Sequence, residues 1–410
     1  MSEYNNIPKI RFKGFTDVWE QRKLDDLGIA TGGTSIETEF SSNGKYKVIS
    51  IGSYSENSTY NDQGIRAIHS DKTKIRVLNK EDLTMILNDK TASGRIIGRV
   101  LYIEKSGEYV YNQRTERIEI NRNLYNPRFI YHLLNAPEMR NKIIKQSQGN
   151  TQIFVNWNGI KNTEYLIPDL SEQSYLEKIF NNIDNLITLH QRKCDKLINI
   201  KKSMLEKMFP KNSSNIPEIR FKGFTDVWEQ RKLEKICDIF DGTHQTPNYK
   251  TSGIPFLSVE NIKTLTSEKY ISYEDFKNNF KVFPEKNDIL MTRIGDIGTT
   301  NIIKENGLKA YYVSLALLKC KGIDNLYLNY AIKSDFVQNG LKSRSLLTAI
   351  PMKINKDQIG KVEIRYPSEF KEQQNIGVIF ENIDNLITLH QRKVEKLNNI
   401  KKSMLEKMFV

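Results

Sequence analysis

IFNNIDNLITLHQRKCDKLINIKKSMLEKMF, from Ile179 to Phe209, returns with few changes as IFENIDNLITLHQRKVEKLNNIKKSMLEKMF, from Ile379 to Phe409. In both copies apolar residues recur every three or four positions: Ile183, Ile187, Leu197, Met204 and Met208, then Ile383, Ile387, Leu397, Met404 and Met408. That is the period of a helix and not of a strand. A helix from Ser171 to Phe209 would be a rod of about 57 Å at roughly 1.5 Å per residue. Two such rods in one chain are expected to lie together.

His190 and His390 fall on the apolar stripe at equivalent positions. Such a pair could bind a metal or sense pH, but a polar residue inside a helix seam more often fixes register. Leu186, Ile200, Leu386 and Ile400 broaden the stripe beyond what a two-helix seam requires, leaving room for partner helices.

The repeat extends past the helix. NIPKIRFKGFTDVWEQRKL, Asn6 to Leu24, recurs as NIPEIRFKGFTDVWEQRKL, Asn215 to Leu233, with Lys9 against Glu218 the only change. Each copy of the segment opens a half and each helix closes one. The stretches between, Asp25 to about Pro168 and Glu234 to about Pro367, show almost no alignment with each other. Even drift would have eroded frame and filling alike, so the frames are read as doing one job twice and the fillings two different jobs. The domain reading is residues 1–170 and 216–369 as two globular domains, 171–210 and 370–410 as long helices, and 211–215 as a linker.

Within the fillings, KYKVISIG, DLTMILN, RIIGRVLYIE and ERIEIN, and later IPFLSVENI, DILMTRIGDIGTTNII and YVSLALLKC, read as strands bounded by turn residues. NPRFIYHLLNAPEMRNKIIKQ and YLNYAIKSDFVQNGLKS read as helices. The fold class is therefore α+β: two mixed α/β domains in tandem, with long helices between them.

A net charge of +13 points to a polyanionic partner, nucleic acid or an anionic surface. Cys194, Cys237 and Cys320 lie far apart in sequence without a CxxC or Cys/His cluster, and read as packing residues in a reducing cytosol. The opening residues lack an apolar targeting core and no run approaches a membrane span, so a soluble, cytoplasmic protein is expected.

Catalytic motifs are weak. GDIG, Gly295 to Gly298, lacks the following GK[ST] of a phosphate loop. NPRF, Asn126 to Phe129, lacks the second proline of an amino-methyltransferase element and reads as a helix cap. PEK, Pro284 to Lys286, and PD, Pro168 to Asp169, lack further carboxylates for a nuclease site. Amides and cations are plentiful instead, the side chains that read base edges and neutralise phosphates. Candidate DNA-binding residues in the first filling are Arg95, Arg99, Arg114, Arg117, Gln148, Asn150, Gln152 and Asn156. In the second they are Thr243, His244, Gln245, Thr246, Tyr249, Lys250, Arg293, Arg344, Ser345 and Lys353.

RFKGFTDVWEQRKL, DGTHQTPNYKTSGIPFLSVENI, ILMTRIGDIG, YLIPDLSEQSYLEKIF and the closing IDNLITLHQRK…KKSMLEKMF together resemble the specificity (S) subunits of type I restriction-modification systems. The resemblance spans the chain, although the first filling lacks evident DGTHQTP and MTRIGDIG counterparts, implying a different recognition-domain subtype. It implies two target-recognition domains in pseudo-twofold repeat, separated by long helices that pair as an antiparallel coiled coil. It also implies a non-catalytic subunit that binds double-stranded DNA at a bipartite target, one half-site per domain. Two modification (adenine methyltransferase) subunits would dock on it, and restriction/translocase subunits through them, with no membrane involved. No cofactor is expected on this chain; S-adenosylmethionine, ATP and Mg belong to the partners. The helix pair would then set the gap between half-sites, with Ile183, Ile187, His190, Leu197, Met204, Ile383, Ile387, His390, Leu397 and Met404 serving pairing and docking. The rival readings are a fused methyltransferase-nuclease, which needs the missing cofactor loop, and a scaffold without nucleic acid, which leaves the charge unexplained.

Overall fold

In the computed structural model, residues 7–211, 214–346 and 349–409 are described. Asn6 of the first repeat, Asn212 and Ser213 of the linker, and Leu347 and Thr348 lie outside them. The chain forms two units, residues 1–190 with 392–410, and residues 191–391.

The two long helices are Leu170–Lys207 and Phe370–Met408. In the first unit the start of one helix packs beside the end of the other, with Lys401 Nζ 2.6 Å from Asp184 Oδ1. The second unit repeats the pairing through Lys201 and Asp384 at 2.5 Å. Each pair therefore runs antiparallel, as read from the resemblance. The repeat pattern assigns each half its own closing helix, whereas the first unit is closed by the end of the second helix. Phe409 is 4 % exposed there, among Trp19, Phe129 and Phe180, with its ring 5.6 Å from that of Phe180. Phe209 occupies the same place in the second unit, against Trp228, Tyr327 and Phe380.

The opening repeat secures this arrangement. Arg11 forks onto the buried carboxylate of Glu172 at 2.8 and 2.6 Å, and Ile10 N–H donates to the carbonyl of Lys407, one of the orphan acceptors of a helix end. In the second unit Arg220 grips Glu372 at 2.7 and 2.8 Å, and Ile219 N–H caps Lys207. Next to each glutamate a buried glutamine bridges backbone: Gln173 accepts from Asn126 N–H, and Gln373 from Asp324 N–H. Trp19 also donates its indole N–H to Glu172 at 3.1 Å, a bond that Trp228 does not make.

The fillings share one topology. The first unit has a four-stranded antiparallel sheet in the order Gly28–Gly32, Thr115–Ile120, Leu83–Ile86, Val100–Tyr102. The second has Cys237–Asp241, Leu315–Cys320, Ile289–Thr292 and Thr300–Ile302 in the same order. A three-stranded sheet follows in each, Tyr46–Ile49 running parallel to Tyr109–Tyr111, and Ile254–Leu257 parallel to Ala310–Tyr311. Glu20–Lys23 pairs with Glu164–Ile167, and Glu229–Lys232 with Glu363–Tyr366. The near absence of alignment between the fillings thus conceals a shared sheet topology, to which the first filling adds the pairing of Asn88–Asp89 with Ile153–Phe154. Each filling helix is broken in two, at Ala136-Pro137 and at Ser334, giving Pro127–Asn135 with Pro137–Ile144 and Asn325–Ile332 with Asp335–Ser343.

Cys237 and Cys320, far apart in sequence, face one another across adjacent strands with their sulfurs 3.7 Å apart. The thiol–thiol contact and burial push the Cys237 thiol well above its usual range.

The burial of Phe409 predicts that Phe409→Ala costs about 3–5 kcal/mol, confined to the first unit. Amide exchange should accelerate in Pro127–Asn135 and stay unchanged in Asn325–Ile332; uniform acceleration of both would contradict this closure.

Candidate nucleic-acid interface

Three loops meet at one end of each four-stranded sheet. The first is the turn after the edge strand, Gly33-Thr34 in one unit and Gly242-Thr243 in the other. A Cβ on Gly33 would lie 2.0 Å from the Asn112 carbonyl, and one on Gly242 2.5 Å from that of Tyr311, so only glycine lets these chains approach. The second follows the central strand, residues 87–97 and 293–297. It ends at Gly98 (φ +70°) and Gly298 (φ +89°), whose N–H groups return to Ile86 and Thr292. The third is a hairpin, Gln148 bridging Phe154 and Leu346 bridging Lys353. It joins the second loop through Val155 N–H to Leu87 O, and Ile354 N–H to Arg293 O. The DGTHQTP and MTRIGDIG segments therefore do have counterparts in the first filling, GGTSIET and LTMILNDKTASGRIIG. An enlarged loop hid the second from sequence comparison.

Different side chains pin the turn in each unit. In the first, Arg76 donates to Gly32 O at 2.6 Å, Thr34 Oγ1 at 3.1 Å and Tyr111 OH at 3.0 Å. In the second, Arg293 pairs with Asp241 and donates to Ile354 O at 3.1 Å, tying all three loops together. With its side chain 9 % exposed, Arg293 is placed to hold the loops rather than to reach a ligand. Arg140, unremarkable in sequence, holds the enlarged loop by donating to the carbonyls of Gly94, Arg95 and Ile97.

The other candidate readers divide by exposure. Arg114, Gln148, Asn150, Gln152 and Asn156 are exposed, as are His244, Gln245, Thr246, Tyr249, Lys250 and Lys353. Thr243 is half-buried, its hydroxyl accepting from Gln245 N–H. Arg95 is exposed and paired with Glu56 at 3.1 Å, while Lys90, which no sequence motif marks, stands exposed in the same loop. Arg99 is half-buried, its guanidinium pushed down to about 10 by burial and by Arg140, with Ser58 Oγ 3.3 Å away. Arg117 is engaged by Asp82 at 2.8 Å and Glu119 at 3.0 Å on the sheet face. Arg344 and Ser345 bond the carbonyls of Gly340 and Lys342 at a helix end. The hairpins thus bring together Gln148, Asn150 and Gln152 in one unit and leave Lys353 outward in the other.

The weak catalytic motifs resolve into structure. Asn126 Oδ1 caps the N–H groups of Arg128 and Phe129. Asp169 caps Ser171 and Glu172, and Glu285 binds Lys319 together with Asp288. Among the described residues no group of three or more His, Cys, Asp or Glu side chains could hold a metal, and no helix is long and apolar enough to cross a membrane.

On the long helices Ile383 is buried, and Ile183, Ile187, Leu197, Met204, Ile387, Leu397 and Met404 are half-buried, as are His190 and His390. Leu186, Leu189 and Ile400 remain exposed in the first unit, and Leu386, Leu389 and Ile200 in the second. The stripe is therefore wider than the helix pair covers.

A family model described as the type I restriction modification DNA specificity domain matches residues 16–199 and again 225–399. The type I restriction enzyme MjaVIII specificity subunit of Methanocaldococcus jannaschii is 23 % identical over 344 residues, 80 % of this chain and 78 % of that protein. The fold is similar to that of the type I restriction-modification S subunit of M. genitalium (TM-score 0.62, 15 % identity, 98 % of this chain and 99 % of that one). It is also similar to a chain solved in work on complex assembly and conformational transition of the type I R-M system (TM-score 0.54, 17 % identity, 95 % and 97 % covered).

Burial raises the Glu116 carboxyl, 5 % exposed near Arg76, to about 7 from 4.5. The folded state then holds this proton where the unfolded chain has lost it, so stability falls as pH rises from about 4.5 through 7. Glu116→Gln is predicted to stabilise the first unit at pH 8, by on the order of 3 kcal/mol at most, and to change little at pH 4. Thermal unfolding at the two pH values checks this, and equal shifts at both would contradict it.

Proposed function

Because the chain belongs to the type I restriction modification DNA specificity family, we propose that it acts as the non-catalytic recognition subunit of a type I restriction-modification complex. It binds double-stranded DNA at a two-part target, one half-site per unit, through the three-loop clusters. Two modification subunits, adenine methyltransferases, dock on the exposed apolar positions of the long helices, one around Leu186 and Leu189 and one around Leu386 and Leu389. Restriction subunits join through them. S-adenosylmethionine, ATP and Mg are held by those partners, and the complex works in the cytoplasm. The observation that carries the reading is one scaffold built twice with different loop tips: equal frames suit two equal partners, and unequal tips suit two unequal half-sites.

In competition binding with the assembled methyltransferase, one two-part sequence should be preferred over scrambled DNA, and affinity should fall steeply with salt. Absence of sequence preference would refute the proposal. Since MLEKMF is the same at both helix ends, Phe209 should fill the place of Phe409 when residues 1–209 are expressed alone. That half-chain should then dimerise and, with modification subunits, direct methylation to a symmetric target; a monomeric, inert half would count against the pseudo-twofold reading.

A further inference from the structure

The hairpins of the two loop clusters hold the same station and present opposite chemistry. In the first unit the exposed residues include the amides Gln148, Asn150 and Gln152. In the second they include Leu346, Met352 and Ile350, the last fully exposed at 101 %. Lys353 and Lys356 stand exposed beside them. Isolated surface apolar residues are ordinary, but these gather at the one place where the other unit shows amides. Backbone bonds tie the base of this loop to the cluster: Leu346 N–H donates to Lys353 O, Gly295 N–H to Met352 O, and Ile354 N–H to Arg293 O, all between 2.8 and 3.0 Å.

The cations beside the tip suit a polyanion better than an apolar protein surface. Along the major groove of DNA, amides pair with base-edge donors and acceptors, and the group that accepts an alkyl side chain is the thymine 5-methyl. Resting on the DNA-reading role of these loops, we propose that Ile350 specifies thymine in the half-site of the second unit by packing against its methyl group. The first unit's hairpin reads its half-site through hydrogen bonds. Ile350 is then a specificity element, with the exposed Lys353 and Lys356 available to phosphates.

The test uses the assembled methyltransferase on the target defined by the adenines it methylates. Duplexes carry uracil for thymine in one half-site at a time, which keeps base pairing and removes only the methyl. With wild-type protein, uracil in one half-site should weaken binding about fourfold per contacted methyl, the worth of one buried methyl group. Ile350→Ala should bind the thymine duplex that much more weakly and be indifferent to uracil there. Uracil in the other half-site should affect both proteins alike. Three results would overturn the inference: equal uracil effects in wild type and Ile350→Ala in both half-sites, no uracil effect at all, or a loss on Ile350→Ala that persists unchanged on uracil DNA. Each leaves sequence-specific binding intact and so spares the DNA-reading role. A wild-type complex without sequence preference removes both. Retention of the modification subunits by Ile350→Ala verifies that the variant is folded.

Discussion

The burial of one phenylalanine at the end of each long helix is the constraint on which the structure turns. Phe409 enters the aromatic cluster of the first unit and Phe209 that of the second. A 38-residue helix has little reason to end at a fixed place on propensity alone, since its stability comes largely from packing its apolar face. Here the end is defined by a ring in a core, a backbone cap from the opening repeat, and the Arg–Glu fork that pins that repeat to the other helix. Removing either member of such a buried ion pair strands the other without solvent, a cost of roughly 3–5 kcal/mol. The opening repeat and both ends of the repeated helix meet at this joint, a reason for the two frames to agree there while the fillings diverge.

With the joint held constant, the loops at the far end of the sheet are free to differ. Both clusters need a turn anchored against two strands, and they solve it with unrelated pairs: Arg76 on backbone and hydroxyl acceptors in one, Arg293 on Asp241 in the other. The scaffold is thus specified by hydrogen-bond geometry and glycine access rather than by particular side chains. This leaves the tips available for change, from exposed amides to exposed alkyl groups, without disturbing the strands beneath.

Legibility followed periodicity and local chemistry. The central strands, such as Leu83–Ile86 and Leu315–Cys320, announce themselves as short, mostly apolar runs, and the cap at Asn126 is written in NPRF. The edge strands Glu20–Lys23 and Glu229–Lys232 do not, because EQRK is polar on both faces and owes its conformation to the partner strand. Among site residues, types were readable and roles were not. Arg117 and Arg293 look like DNA-reading arginines in sequence, yet both meet carboxylates first, Asp82 35 positions away and Asp241 52 positions away. Arg140 carries no local signal, since its three acceptors are backbone carbonyls.

By itself the sequence determined the duplication, the two long helices, the α+β character of the fillings and the family resemblance, because repeats, helical period and strand composition are local or self-similar properties. Only the tertiary structure decided that the last residues of the chain close the first unit, that two dissimilar fillings share one topology, and which cations are spent within the protein. Those outcomes depend on partners distant in sequence, Arg11 with Glu172, Phe409 with Trp19, Cys237 with Cys320, and no local pattern records which distant residue will arrive.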